Sequence, residues 1–178
     1  MTTSTEAATL RHAETPGDIA RARELFVEYA KWLAVDLCFQ GFDQELASLP
    51  GSYARPRGRL LLAGVRPHAF ACIALRPLAP QSACCGGAAA PSDDVNAVGE
   101  VKRLYVQPAH RGEGWGRRLA ETAISEARAI GYRELRLDTL EWMDDARRLY
   151  TKLGFRECPA YYDNPLRGVV YMALTLEK

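Results

Sequence analysis

The chain carries almost no net charge and no long apolar run, and both absences narrow what it can be. Its 23 Lys and Arg against 22 Asp and Glu leave a formal charge of +1, so there is no basic excess to grip a nucleic-acid backbone. No run of about 18 apolar residues is present to cross a bilayer, and the start "MTTSTEAATLRHAETPGD" lacks the apolar centre of a secretory signal. The expectation is a cytoplasmic protein with neither nucleic acid nor membrane as partner. Histidine is scarce: His12, His68 and His110 are scattered without the i, i+4 spacing of helical metal ligands, and no metal is expected. Cys38, Cys72, Cys84, Cys85 and Cys158 are odd in number and form no C-x-x-C pair, which points to reduced thiols rather than a disulfide framework or a zinc site.

What is present fits one globular domain over residues 1–178, with 48% apolar and 25% charged residues. Apolar residues from Ile19 to Leu33 recur at helical spacing behind the start signals Thr15, Pro16 and Asp18. A shorter helix follows around "DQELASL", stopped by Pro50 and Gly51. "RLLLAGV" (59–65) and "HAFACIALRP" (68–77) read as two strands joined by a tight turn. Residues 77–97, rich in Pro, Gly, Ala and Ser, read as a long mobile connection, and residues 1–14 as a flexible start. Then come a strand at 98–108, a helix from Gly114 to Ile130 ended by Gly131, a strand at 134–140, a helix in "DDARRLYTKLGF" and a last strand at 168–176. This order predicts an α+β (mixed α/β) domain without internal repeats.

The chemistry concentrates in "AHRGEGWGRRL" (109–119), where Gly112, Gly114 and Gly116 stand between a strand and a helix. The first turn of a helix offers unpaired N–H groups and a partial positive charge, and glycines admit phosphate oxygens to the backbone. A P-loop needs Lys-Ser or Lys-Thr after its glycines, and none follows. A dinucleotide fingerprint needs a third small residue where Arg117 stands, although Asp138 ends the next strand at a suitable distance for a ribose.

What remains is Arg111-x-x-Gly114-x-Gly116 after a "LYVQP" strand. This pattern resembles the cofactor motif of the GNAT family of N-acetyltransferases, and "ARRLYTKLGF" (146–155) resembles the family's A-x-x-L-Y-x-x-x-G-F helix. The two motifs cover residues 98–158. The resemblance implies a GNAT fold, a mixed and mostly antiparallel sheet flanked by helices, and acetyl-CoA as cosubstrate without a metal. It implies that the backbone of Leu104, Tyr105 and Val106 pairs with the pantetheine arm. Arg111, Gly112, Gly114, Trp115, Gly116 and Arg117 would then surround the pyrophosphate, with Thr139 on the next strand also on the cofactor side. Tyr150 matches the family's general acid, and a core tyrosine is its plain alternative. Glu100 matches the carboxylate base of some members; a water route, or a structural ion pair with Lys102, is the alternative. Met143 stands where the family often has an Asn that touches the pantetheine arm.

An acceptor site in such a fold draws on the first helices, the strand pair and the segment before the last strand. Tyr29, Trp32, Phe39 and Phe42 come from the first region, with the core as the alternative for Tyr29 and Trp32. "YYDNPLRG" (161–168) adds Tyr161, Tyr162 and Asn164 in a polar, aromatic turn. These suit a small amine or amino-acid-like acceptor; a peptide N-terminus or protein lysine also fits. A non-catalytic acetyl-CoA-binding domain is the competing class, and a homodimer is compatible with the resemblance.

Overall fold

The computed structural model describes residues 7–78 and 98–176. Helix α1 (Pro16–Leu33) begins where Thr15 accepts a hydrogen bond from the Asp18 N–H at 3.1 Å, with Pro16 in the first turn. Its apolar stripe buries Ala22, Leu25 and Phe26 completely. Two strands then run antiparallel, β2 (Arg59–Gly64) and β3 (Ala69–Pro77). Every residue of β2 is buried, because both faces of the sheet are covered. Leu60, Leu62, Cys72 and Ala74 face α1, while Leu61, Ala63, Ile73 and Leu75 face helix α3 (Trp115–Ile130). Covered faces replace polar alternation with continuous apolar runs, as "RLLLAG" shows.

Among the described residues the sheet has seven strands, in the order β1-β2-β3-β4-β5-β7-β6. Beyond β2 and β3 these are β1 (Thr9–His12), β4 (Val98–Val106), β5 (Glu134–Leu140), β6 (Arg156–Glu157) and β7 (Val169–Thr175). All neighbours are antiparallel except β4 and β5, which are parallel. Helices α2 (Phe42–Ser48) and α4 (Asp144–Lys152) complete the set among the described residues, with short 3-10 turns at Cys38–Gln40, Gly51–Tyr53 and Pro108–His110.

Three expectations change. Residues 9–12, expected within a flexible start, form the edge strand β1: its backbone pairs with β2 from Thr9 to Gly64 through His12 to Leu61, and Arg11 adds hydrogen bonds to Asp18 and the Gly64 carbonyl. The strand expected to run to Pro108 ends at Val106, and a 3-10 turn follows. Pro77 ends β3, and the Leu78 N–H donates to the Val98 carbonyl, so the expected connection is pinned at its start; residues 79–97 lie outside the described residues.

A bulge in β4 positions the site. Cys72 pairs with Tyr105 and Ala74 with Lys102, so Arg103 and Leu104 together stand opposite Ile73. Arg103 adopts φ +59°, in the left-handed region. The extra residue shifts the side-chain alternation by one. Val101 and Leu104 therefore both face α3, while Arg103 turns to the opposite face and meets Glu45 of α2.

Candidate active site

Parallel pairing of β4 with β5 covers only Val98–Glu100 against Glu134–Arg136. Beyond that point both strands continue unpaired with each other, and their facing backbone groups line a split. A cavity of about 60 Å³ sits there, lined by Lys102, Arg103 and Leu104 on one side and Asp138, Thr139 and Leu140 on the other. Tyr29 and Gln40 close it from the α1 region, and Met143 and Tyr150 from the α4 region.

Tyr150 is 7% exposed, its ring edge-on to Phe155, and its hydroxyl has no hydrogen-bond partner among the described residues. Burial, reinforced by the neighbouring Tyr29 and Asp138, raises its pKa well above that of an ordinary phenol, so it keeps its proton. Burial likewise pushes Tyr29 up to about 12.

Asp138 accepts from Lys102 Nζ at 2.9 Å and from the Tyr162 hydroxyl at 2.9 Å. Burial alone would raise its pKa, but the Lys102 charge and these two hydrogen bonds outweigh it and hold the carboxyl below the usual range. Glu100 is nearly fully buried: Arg76 contacts its Oε2 at 2.7 and 2.8 Å, the Tyr161 hydroxyl donates to Oε1 at 3.0 Å, and Lys102 stands 3.7 Å away. It does not line the cavity. Arg103 forms a two-pronged pair with Glu45 at 3.0 and 2.6 Å, and Tyr53 donates to the same carboxylate at 2.7 Å.

The glycine turn sits at the far end of β4. Gly112 and Gly114 have φ of +84° and +83°, and a Cβ at either would meet nothing within 4 Å, so the turn presents open backbone. The first helical bond of α3 runs from the Arg118 N–H to the Gly114 carbonyl, which leaves the N–H groups of Trp115, Gly116 and Arg117 without intrahelical acceptors. A Cβ on Gly116 would stand 3.8 Å from Val106 and Leu149, which places this turn against the end of β4 and helix α4. Open glycine backbone beside an opened strand pair is the donor set that a pyrophosphate and an amide-bearing arm require.

Some predicted side chains take other places. Trp115 packs its ring on Phe70 in the core, and Arg117 pairs with Glu121 at the surface. The Arg111 guanidinium folds back to the Val106 carbonyl at 3.0 Å and lies over the Trp32 ring at 4.5 Å. Tyr105 packs its ring edge-on against Tyr29 and tilted against Trp32, on the face opposite Leu104. Tyr161, Tyr162 and Asn164 do not line the cavity but brace groups near it: Tyr161 holds Glu100, and Tyr162, fed by Asn164 at 2.7 Å, holds Asp138. Thr139 and Met143 meet at 3.6 Å in the lining, so the residue in the place of the family's Asn supplies apolar surface there. Phe42 packs under the Arg103 guanidinium. Gln40 and the Lys102–Asp138 pair escaped the sequence reading. Asp138 near the end of the strand that follows the one carrying Lys102 was the one available signal.

Comparison with known proteins agrees with this geometry. Residues 24–155 match the acetyltransferase (GNAT) family. An N-acetyltransferase of Schizosaccharomyces pombe, itself uncharacterised, is 35% identical over 164 residues, 92% of this chain and 91% of that protein. Among solved structures, a GNAT-family acetyltransferase of Staphylococcus aureus superposes with a TM-score of 0.72 at 18% identity, covering 96% of this chain and 100% of that one. A putative acetyltransferase of Salmonella typhimurium, solved with its cofactor acetyl-CoA, gives 0.64 at 22% identity over 97% and 96%. The chain belongs to the GNAT acetyltransferase family, and its class of reaction is acyl transfer.

Proposed function

We propose that this chain moves the acetyl group of acetyl-CoA directly to the amine of a small-molecule or amino-acid-like acceptor. The observation that carries the proposal is the cavity at the β4–β5 split, which brings the protonated Tyr150 hydroxyl, the ionised Asp138 and the opened backbone of both strands together. The acetyl-CoA in the Salmonella structure of the same fold supports the choice of cosubstrate.

Acetyl-CoA supplies an activated acyl thioester. Gly112, Gly114 and Gly116 with the first N–H groups of α3 would hold its pyrophosphate, helped by the charges of Arg111 and Arg117. The backbone of Leu104, Tyr105 and Val106 would take the pantetheine amides, with Thr139 and Met143 on the opposite wall. Tyr150 would donate its proton to the departing sulfur, a role that needs a phenol kept neutral at working pH. Glu100 lies outside the cavity lining in a network of ion pairs, which favours loss of the amine proton to water over direct abstraction. Asp138, held ionised by Lys102, cannot keep a proton near neutrality and would act as an anchor.

A thiol-release screen over small amines, amino acids and peptide N-termini, paired with calorimetry on acetyl-CoA, tests the proposal. Release with small amines is expected. Binding without release across the panel would make the chain a cofactor-binding domain, and release confined to peptides would move the acceptor to proteins.

A further inference from the structure

The strongest unexplained group in the cavity is Gln40, which lines it from the 3-10 turn after α1. Its Oε1 atom is buried and has no hydrogen-bond partner among the described residues. A side-chain amide is often free to turn over, but here the Tyr162 hydroxyl fixes it. That hydroxyl donates to Asp138 at 2.9 Å and accepts from Asn164 Nδ2 at 2.7 Å and from Gln40 Nε2 at 3.3 Å. One donor and two acceptor positions are all a hydroxyl has, and all are used. Turned over, Gln40 would set its oxygen against a hydroxyl whose proton already belongs to Asp138. The unpartnered oxygen is therefore a consequence of the network, and a buried acceptor left unpaired is costly unless something that binds there supplies a donor.

The charges around it select the kind of donor. The two cations that line the cavity are committed: Lys102 to Asp138 at 2.9 Å and Glu100 at 3.7 Å, and Arg103 to Glu45 at 2.6 Å. A carboxylate brought beside Gln40 would find a carbonyl oxygen and the Asp138 anion, with no uncommitted cation among the lining residues. We propose that Gln40 reads the acceptor: its side-chain oxygen takes a hydrogen bond from a neutral N–H or O–H beside the reacting amine. The substrate class is then amines that carry a carboxamide or hydroxyl there, and free amino acids are disfavoured. This rests on the acetyltransferase reading of the cavity.

The test compares glycinamide with glycine and alaninamide with alanine as acceptors, by CoA release, in the natural protein and in Gln40→Leu and Gln40→Glu. An amide's less basic amine favours it in every variant, so the readout is the change of the amide-to-acid ratio of kcat/KM between proteins. Gln40→Leu should lower that ratio about tenfold, the size of one hydrogen bond to a buried neutral group, with KM for acetyl-CoA within about twofold on the same reasoning. Gln40→Glu keeps an acceptor oxygen and adds charge, so it should retain the amide preference and reject acids further. A ratio unmoved by Gln40→Leu, or a natural preference for free acids, overturns the proposal. If no amine releases CoA, the acetyltransferase reading fails separately. The thermal shift of CoA-saturated protein with glycinamide still decides Gln40: a shift lost in Gln40→Leu supports it, and no shift, or one retained in the variant, refutes it.

Discussion

Tyr150 shows why one residue can carry a functional reading that its neighbours cannot. A buried tyrosine ordinarily gives its hydroxyl to a carbonyl or carboxylate, as Tyr53 does to Glu45 and Tyr132 to the Arg57 carbonyl. Tyr150 packs its ring against Phe155, lines the cavity, and gives its hydroxyl to no partner among the described residues. Removing that oxygen should therefore cost little stability and much turnover. Tyr150→Phe is expected to lower kcat by about 100-fold, the lower end of what a general acid contributes, with the melting temperature and KM for acetyl-CoA nearly unchanged. Steady-state kinetics beside a thermal melt separate the two roles: a lower melting temperature with intact kcat would return Tyr150 to the core.

At the scale of elements, the strand, glycine turn and helix from 98 to 130 were legible because their signals are local. Glycines at 112, 114 and 116, the stripe Leu119, Ala123, Ala127 and the stop at Gly131 all act within a few residues of themselves. The bulge was not legible. Arg103 holds a left-handed conformation that no local rule assigns to arginine, and its reason is Glu45, 58 residues earlier in the chain. The edge strand β1 was missed for a similar reason, since "TLRH" offers no alternation and is fixed by pairing with β2. Gln40 and Tyr162, 122 residues apart, meet only in the folded chain. Where the local signal is strong, a local change should have a local effect. Gly114→Ala places a side chain at φ +83° in open space, which costs about 1 kcal/mol of strain, a modest loss for the fold. The same change narrows the approach to the turn and should weaken acetyl-CoA binding about tenfold or more, the equivalent of 1.4 kcal/mol. Calorimetry on Gly114→Ala checks it; unchanged affinity would remove this turn from the pyrophosphate site.

Over the whole molecule, three ion pairs from β4 to its neighbours, Glu100–Arg76, Lys102–Asp138 and Arg103–Glu45, tie the bulged strand to β3, β5 and α2. Buried pairs like these fix geometry more surely than they add stability, because desolvation offsets much of their attraction, while loss of one partner leaves an unpaired charge. Glu45 makes the point measurable. Burial would raise its pKa, but the hydrogen bonds and charge of Arg103, with the Tyr53 hydroxyl, hold it below the usual range. A carboxyl lowered in the folded state contributes stability that is fully present above its unfolded pKa of about 4.3 and is lost as pH falls through the folded value. Glu45→Gln should thus destabilise by about 3 kcal/mol at pH 7, as breaking a buried pair does. The gap between variant and natural protein should narrow as pH drops below about 4, because the natural protein then loses the same charge by protonation. Urea midpoints measured from neutral to acid pH read this directly. A gap that stayed constant with pH would mean that Glu45 holds α2 against the bulge by shape and hydrogen bonding, with its charge contributing nothing to the fold.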